Sequence, residues 1–571
     1  MLLGLCFALP TLSAGFLTDD HRFRALLAER GSRVAPELFD FASGETSQNL
    51  SSIAHGQLPW WTAPDFRLHL WRPLTGALFA LEYRVFGAHA WGYHLCSLGL
   101  LAILLLLAQR LYRAVLPRST GLWALAVFVL RVHPDAYGWI AAQHVLLGAC
   151  CVTAALVARV EQSANARSSW LVTGRLALGL LASESAVCGI AFLLAYEVSR
   201  ALADSRGSSS ARQRIGDAAR RFFSQSLPTL LLAAVYFIAY HAGHWGSRGS
   251  GLYRDPFAAP LAFLRVAPAR LLVLLADLLL AVPAELGVST QRSFAAAAGL
   301  CASLILALAL WTNRARLTER ERAALAWLTP AAILGLCVAC AGVPGGRVLT
   351  LPSLGFAALA GVVLRVSFAR AGAHFRGFAI AFGVLQCGLG PLGSLVVQRH
   401  MEHRARAGER IGRAFLGELG TRQAAFVFAS DPIVFASQYA VLFDEARGFD
   451  ACVSVASAAR SAHRLTRTGP RRVLFETLGP PLLDGSFDTL VRDETRPFSP
   501  GTRVHQCDAD FVVARVERGK PSAVSLELSA DPDDARVAFF HWNGSGLERF
   551  ELPELGRSIE LPWLPGPSRI Y

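Results

Sequence analysis

The chain has 571 residues, of which 53% are hydrophobic and only 17% are charged, and its mean hydropathy is +0.39. These values exclude an ordinary soluble protein, which carries more charge for its hydrophobic content. The formal net charge of +13 would suit a nucleic-acid binder. The basic residues lie in short loops between apolar runs, however, so the pattern indicates a membrane protein with no nucleic-acid partner.

Apolar runs recur from the first residue to about residue 400. A spanning helix needs about 20 mostly apolar residues, and several of these runs are somewhat shorter. The first run lacks the basic segment that opens a signal peptide, so it is interpreted as a first span. The eleven predicted spans are 1–16, 91–109, 119–132, 137–158, 169–183, 186–199, 226–242, 293–311, 325–342, 351–367 and 377–397. The sequence therefore predicts an all-α polytopic membrane bundle in residues 1–398 and a soluble domain in residues 399–571.

Arginine-rich loops between the spans indicate how the bundle is oriented. The loops in question are 110–118, 159–167, 200–221, 314–322 and 365–376. Basic residues favour the cytoplasmic side, so an odd number of spans places the N-terminus in the cytoplasm and the C-terminal domain outside it. The predicted location is the inner (cytoplasmic) membrane of a bacterium.

Segment 259–285 is apolar enough to span, but a single crossing would move the 314–322 loop to the outer side. We therefore expect a re-entrant segment, a two-pass hairpin or a helix lying at the outer face. The eleven cysteines are scattered, mostly in apolar runs, and the Cys337–Cys340 pair has no partner pair at metal-binding spacing.

Two adjacent carboxyl groups, Asp19 and Asp20, follow the first predicted span. Ionisable groups at membrane depth are costly, which makes them candidates for function. Because like charges repel, one carboxyl of such a pair can have a raised pKa and take a proton from a hydroxyl group. The alternative is a pair of ordinary acidic residues that ends a helix on the outer side.

Three further ionisable side chains lie in predicted outer segments. Arg72 opens an amphipathic stretch, 72–88, where its guanidinium either holds a phosphate or, with Trp60, Trp61 and Trp71, anchors the chain at the membrane interface. Glu184 and Arg347 lie in tight outer turns, where each is either functional or part of a buried ion pair.

The last 170 or so residues predict a mostly β domain, with an α/β start left open. Strand-like runs lie at 425–430, 511–517 and 523–529, and Asn543-Gly544 is a hairpin signal between 537–542 and 547–552. The same asparagine begins a glycosylation triplet, which is interpreted as a turn. No spacing joins the domain's polar residues Asp431, Asp444, Glu445 and His541 into a site. A structural or acceptor-binding role is expected.

A series of motifs occurs in order along residues 1–400. The series is Asp19-Asp20, Arg72-Pro73-Leu74, Phe86-Gly87, Trp91-Gly92-Tyr93-His94-Leu95, His133-Pro134, Asp135 to Ile140, Ser183-Glu184, and Arg347 followed by Leu351-Pro352-Ser353-Leu354-Gly355-Phe356. In this order the motifs resemble the GT-C superfamily of membrane glycosyltransferases. They look most similar to its protein O-mannosyltransferase-like branch.

The resemblance implies transfer of a sugar from a polyprenyl-phosphate donor to an extracytoplasmic acceptor, which is a hydroxyl of a protein, lipid or glycan. It implies that Asp19 or Asp20 is the catalytic base. Arg72, Arg347 and His133 would hold the donor phosphate, with Glu184 and Asp135 in supporting positions. Cations placed at the departing phosphate would lower the barrier, because negative charge develops there.

The chain departs from this pattern in three places. Ser183-Glu184 replaces a usual Lys-Glu pair, and Gln143 and Val145 stand where an Arg and an Asp are typical. The residues that usually separate His133-Pro134 from Asp135 are absent. Two further interpretations therefore stay open, namely that the enzyme uses a divergent donor or that the chain is an inactive relative. Metal use varies across the superfamily, so no cofactor is certain, and a divalent metal is left open.

Two other classes of function remain as alternatives. A transporter or flippase for a lipid-linked sugar would place ionisable residues near mid-helix, in two similar halves. A non-catalytic membrane scaffold would present its outer domain and tolerate replacement of Asp19 and Asp20. The clustering of ionisable residues at one face favours the transferase.

Overall fold

The structure, a computed structural model, describes residues 1–162, 166–205, 210–370, 372–428, 451–485, 488–534 and 536–566. Its helices are α1 Leu2–Ala8, α2 Asp19–Arg30, α3 Thr46–Ala54, α4 Pro73–Phe86, α5 Ala90–Val115, α6 Arg118–Arg131, α7 Pro134–Gly138, α8 Gln143–Glu161, α9 Ala166–Ala182, α10 Val187–Asp204, α11 Ala211–Ala242, α12 Pro260–Leu280, α13 Arg292–Asn313, α14 Glu319–Ala339, α15 Pro352–Phe368, α16 Ala373–Val384 and α17 Gly390–Leu419. Its strands are β1 Asp40–Ser43, β2 Arg67–His69, β3 Gly246–Arg248, β4 Ala424–Phe428, β5 Cys452–Ser457, β6 His463–Gly469, β7 Arg472–Thr477, β8 Arg503–Gln506, β9 Ala509–Glu517, β10 Lys520–Leu528, β11 Val537–Trp542, β12 Leu547–Phe550 and β13 Ser558–Leu561.

The predicted class, a helical membrane bundle followed by a β-rich domain, is confirmed. In the described residues, seven helical segments are long and apolar enough to cross a membrane. They are Ala90–Val115, Ile140–Glu161, Glu184–Asp204, Arg212–Ala242, Arg292–Arg316, Glu319–Ala339 and Ala373–Leu419. The four other predicted spans coincide with shorter helical segments, Leu2–Ser13, Arg118–Arg131, Ser169–Ala182 and Pro352–Phe368.

Helix α8 lies at the centre of the bundle, since 83% of its apolar segment is buried by neighbouring helices. Helix α13 has the opposite character. Its Phe294, Leu304 and Leu308 side chains are more than 60% exposed, as expected for a helix that faces lipid. The bundle therefore has an apolar outer surface of the kind that a bilayer would cover.

One end of the bundle gathers the predicted arginine-rich loops. Thr318 and Glu321 form a capping box that begins α14. The buried carboxylate of Glu321 also accepts hydrogen bonds from Thr120 at the start of α6 (2.5 Å) and from Arg365 at the end of α15 (2.6 Å). We call this the opposite end, because the C-terminal domain lies at the other one.

The other end, the domain end, gathers the predicted outer loops. Strand β2, in the first loop, pairs with β1 and also with β3, which lies in the loop after α11. Helix α4 lies at this end too; it begins with Pro73 at its first turn. It ends at Gly87, whose positive φ of 52° favours glycine.

Segment 259–285 contains one unbroken helix, α12, which excludes the two-pass hairpin. Just before α12, the ring of Phe257 packs on Phe237 and His241 near the end of α11. Near the end of α12, Asp277 pairs with Arg131 at the end of α6 (3.0 Å). Both ends of α12 therefore lie at the domain end, which agrees with one of the three alternatives, a helix that lies at that face.

The C-terminal domain contains a six-stranded antiparallel sheet, in the order β13-β6-β7-β10-β9-β8, and a four-stranded sheet, β12-β11-β4-β5. Strand β4 runs parallel to both of its neighbours, which is the α/β start that was left open. The hairpin at Asn543-Gly544 lies as predicted between β11 and β12, and the Asn543 side chain accepts from the backbone N–H groups of Ser545 and Gly546. His541 lies on β11. Of the other polar residues named above, Asp431, Asp444 and Glu445 lie outside the described residues.

Helix α17 connects the two parts of the chain and runs through the predicted boundary at 398/399. Near its start, Gln398 donates to the hydroxyl of Tyr137 in α7 (3.1 Å). Near its end, Phe415 packs on Phe540 of β11, with ring centroids 4.8 Å apart. One continuous helix therefore belongs to both the bundle and the domain.

The first loop is docked on the C-terminal domain. Trp60 and Trp61 are buried, and their indole N–H groups donate to the carbonyl oxygens of Ala456 and Asp488. This excludes the interfacial-anchor alternative for these two tryptophans. Beside them, Arg496 forms a two-point ion pair with Asp65, at 2.7 and 2.6 Å.

A disulfide between Cys452 of β5 and Cys507, which follows β8, lies against this docked loop. The backbone N–H of Cys507 donates to the carbonyl oxygen of Ala54, at the end of α3. The pattern of cysteines in the sequence gave no sign of this pair, because the two residues are 55 positions apart.

Candidate active site

The two adjacent carboxyl groups at the start of α2 occupy different environments. Asp20 is buried, and its two oxygens accept hydrogen bonds from the backbone N–H groups of Leu17 and Ala141, both at 2.8 Å. Burial raises the pKa of the Asp20 carboxyl well above its usual range, against the effect of these two donors. Asp19, by contrast, is half-buried.

The bond to Ala141 fixes the start of α2 next to the turn that follows α7. In that turn, the ring of Trp139 lies 5.2 Å below the guanidinium carbon of Arg347. Among the described residues, the Arg347 guanidinium has no hydrogen bond and no ion pair. The structure thus brings Asp19, Asp20 and Arg347 to one region, although more than 320 residues separate them in sequence.

Arg72 and Glu184, for which the sequence analysis predicts separate roles, form an ion pair. The Arg72 Nε donates to Glu184 Oε2 at 2.7 Å, and the guanidinium also lies over the ring of Phe39. Their side chains are 13% and 22% exposed, so the pair is partly buried. The ion-pair alternative for Glu184 therefore holds in part, because its charge has a partner. The pair nevertheless lies at the same end of the bundle as Asp19.

Several buried polar atoms around these residues have no hydrogen-bond partner among the described residues. They are the second carboxylate oxygen of Glu184, the hydroxyl of Tyr236 and the indole N–H of Trp139. Trp71, the neighbour of Arg72, stacks on both Tyr236 and Trp245. Native structures leave few buried polar atoms unpaired, so a group of them suggests a polar ligand.

His133 and Asp135, predicted as a phosphate-binding and a supporting residue, lie at the start of α7. The Nδ1 of His133 is 3.6 Å from the carboxylate of Asp135. A third group joins them: Glu285, from the segment between α12 and α13, brings a carboxylate oxygen within 4.8 Å of both. The Glu285 carboxylate accepts from the backbone N–H of Gly346 (2.9 Å), next to Arg347.

Sequence reasoning missed Glu285. Its position depended on the course of segment 259–285, for which three alternatives were open. The only available signal was that an acidic residue follows an apolar run at the predicted outer face, as Asp19 does.

At two of its departures from the GT-C pattern, the chain forms internal hydrogen bonds. The buried Gln143 donates to the carbonyl oxygen of Tyr93 and to the hydroxyl of Ser97. The hydroxyl of Ser183 lies 2.9 Å from Nδ1 of His144 and 2.8 Å from the hydroxyl of Ser185. These side chains hold α5, α8 and the turn at Glu184 together.

No family model and no curated protein sequence matches the chain. Its fold resembles the crystal structure of ArnT from Cupriavidus metallidurans bound to undecaprenyl phosphate, with 16% identity, a TM-score of 0.35, and coverage of 79% of this chain and 76% of ArnT. It also resembles the Archaeoglobus fulgidus oligosaccharyltransferase tethered to an acceptor peptide, with 10% identity, a TM-score of 0.36, and coverage of 74% of this chain and 63% of that one. At these identities and TM-scores, the two structures establish neither the activity nor the site residues of the chain.

Proposed function

We propose that the protein is a membrane-embedded glycosyltransferase that moves a sugar from a polyprenyl-phosphate donor to a hydroxyl group of a protein, lipid or glycan. The observation that carries the proposal is the convergence of Asp19, Arg347 and the Arg72–Glu184 pair at one end of an apolar bundle. A lipid-linked substrate needs this placement, because its chain stays between helices while its phosphate lies at the aqueous edge.

The two aspartates divide their roles in this proposal. Asp19 is the general base, since it lies half-buried in the first turn of α2, whereas Asp20 is buried. Asp20 is a positioning residue, since its two oxygens accept hydrogen bonds from the backbone N–H groups of Leu17 and Ala141. It holds the first turn of α2, and hence Asp19, against the turn at Trp139.

The proposed reaction is a displacement at the anomeric carbon of the sugar. Asp19 takes the proton of the acceptor hydroxyl, whose oxygen forms the new bond to that carbon. The bond from the carbon to the phosphate oxygen breaks, and polyprenyl phosphate leaves with the electron pair. Arg347 stabilises the charge that develops on the phosphate, because its guanidinium has no other ionic partner among the described residues. Arg72, whose charge is shared with Glu184, gives weaker support.

Activity of the full-length protein in lipid nanodiscs tests the roles of the aspartates. Release of polyprenyl phosphate is measured with a panel of polyprenyl-phosphate hexoses and a mixture of peptide and lipid acceptors. We expect Asp19→Asn to lower transfer by about 100-fold or more, because a positioned base contributes at least that much. Glu29→Gln, an exposed carboxyl on the same helix, is the matched control and keeps full activity. Full activity of the Asp19→Asn variant would overturn the assignment, and a protein that binds polyprenyl phosphate but never turns over would support the scaffold.

The site is proposed to face the extracytoplasmic side of a bacterial inner membrane. The arginine-rich loops lie at the opposite end, and the disulfide of the C-terminal domain is typical of an oxidising compartment. Alkaline phosphatase fused after residue 420 is therefore expected to be active, and the same enzyme fused after residue 205 inactive. Equal activity of the two fusions would contradict this orientation.

A further inference from the structure

The group formed by His133, Asp135 and Glu285 is not used in the proposed transfer reaction. One imidazole and two carboxylates, from the α6–α7 turn and the α12–α13 segment, place one potential ligand atom each within 4.8 Å of the others. All three side chains are neither fully buried nor fully exposed. Their arrangement therefore requires a reason, because two carboxylates at this separation repel each other.

In the described ranges of the chain, no arginine forms an ion pair with the carboxylates of Asp135 and Glu285. Arg131, just before His133, directs its guanidinium to the side chain of Asp277 (3.0 Å). Arg347 lies over the ring of Trp139. The hydrogen bonds that reach the group in the described residues come from backbone N–H groups, from Gly346 to Glu285 and from Asp135 to His133 Nδ1.

The backbone around the group is shaped to hold it. Gly346 packs flat against the His133 ring, and a Cβ at this position would lie 1.9 Å from the ring atoms. Its N–H simultaneously positions the Glu285 carboxylate at 2.9 Å. One glycine thus fixes two of the three groups relative to each other, which is the kind of support that orients metal ligands.

We propose that His133, Asp135 and Glu285 bind one divalent transition-metal cation of the Mn²⁺ or Zn²⁺ type. Imidazole nitrogen combined with carboxylate oxygen is a ligand set that suits such cations. Ligand atoms around one cation lie about 3–4 Å apart, given bonds of about 2.0–2.2 Å, so small side-chain rotations complete the site. Three protein ligands leave coordination positions open, as in metal sites that also bind water or a substrate. The inference goes beyond the proposed transfer and does not depend on it.

Metal binding is tested on the full-length protein in detergent, without any lipid donor. The protein is treated with EDTA, dialysed and titrated with MnCl₂ while electron paramagnetic resonance reports free Mn²⁺, and ZnCl₂ is then added as competitor. We expect one saturable Mn²⁺ site per chain that Zn²⁺ displaces. The variants Glu285→Gln and His133→Gln should each bind at least about 10-fold more weakly.

A matched carboxylate control is Glu161→Gln, which removes an acidic side chain paired with Arg110 at the opposite end. It should bind Mn²⁺ as the unaltered protein does. Thermal unfolding of every variant shows whether it is folded, and two ligand variants keep the test valid if one of them is not. The absence of stoichiometric binding would overturn the proposal and favour a proton shared between Asp135 and Glu285. Unchanged affinity in both ligand variants would overturn it as well.

Discussion

Single side chains at the domain end differ in what holds them. The carboxylate of Asp20 accepts from two backbone N–H groups, whereas the guanidinium of Arg347 contacts, within the described part of the chain, only the face of an indole ring. A residue whose polar atoms are all satisfied is suited to position others, and one with free donors is suited to bind a ligand. The two adjacent aspartates, which the sequence leaves equivalent, differ in burial, since Asp20 is buried and Asp19 is half-buried.

A buried carboxyl near the site makes stability depend on pH. Glu82 in α4 is 2% exposed, and burial raises its pKa to about 8. Its pKa in the unfolded chain is lower, so Glu82 contributes stability at low pH that is lost as pH rises toward 8. Between pH 5 and 8 this loss is roughly 1.4 kcal/mol per pH unit. Glu82→Gln should remove this pH dependence. The stability of the variant should therefore increase relative to that of the unaltered protein as pH rises.

Thermal unfolding at pH 5, 6, 7 and 8 measures this difference. Glu29→Gln, which alters an exposed carboxyl, is expected to show the same pH dependence as the unaltered protein. A constant difference between Glu82→Gln and the unaltered protein over this range would contradict the prediction.

At the scale of elements, the course of α12 depends on close packing against α13. A Cβ at Gly299 of α13 would lie 1.8 Å from the carbonyl oxygen of Leu272 in α12. Gly299→Ala should therefore separate the two helices and lower the free energy of unfolding by about 1–3 kcal/mol. Thermal unfolding in detergent checks this. In Gly216→Ala the new methyl group meets open space on α11, and this control should be neutral or more stable by up to about 1 kcal/mol.

Elements with local signals could be predicted, and those fixed by distant contacts could not. Pro73 and Gly87 mark the two ends of α4, and Asn543-Gly544 marks a hairpin, because the necessary dihedral angles belong to the residues themselves. The path of α12 is set by Arg131 and Phe257, which lie on other segments. No pattern within 259–285 encodes those contacts, and Glu285 was missed for the same reason.

For the whole molecule, the docking of the first loop on the C-terminal domain is sensitive to charge. The hydrogen bonds from Arg496 hold the pKa of Asp65 below its usual range. A lowered pKa means that the pair stabilises the protein above about pH 4, and that this contribution is lost as pH falls further. Arg496→Gln should lower stability at neutral pH by about 1 kcal/mol and differ less from the unaltered protein at pH 3.

Thermal unfolding at pH 3 and pH 7 measures this effect. Arg464→Gln, which breaks an exposed pair with Glu560 on the same domain, is the control and should change stability less. An equal effect of the two variants at neutral pH would show that the Asp65–Arg496 pair does not contribute to docking.

The contact between Asp65 and Arg496 also has a consequence for biosynthesis. The two residues are 431 positions apart, so the ribosome needs about 20–90 s to make the second after the first. During that interval the first loop, which carries Asp19 and Arg72, cannot dock on the C-terminal domain. A nascent chain therefore cannot complete the docking of its first loop before residue 496 has been made. A transcript truncated before residue 496 should yield a protein that is inserted in the membrane but whose first loop is undocked. Correct folding of the first loop therefore waits for synthesis of the C-terminal domain.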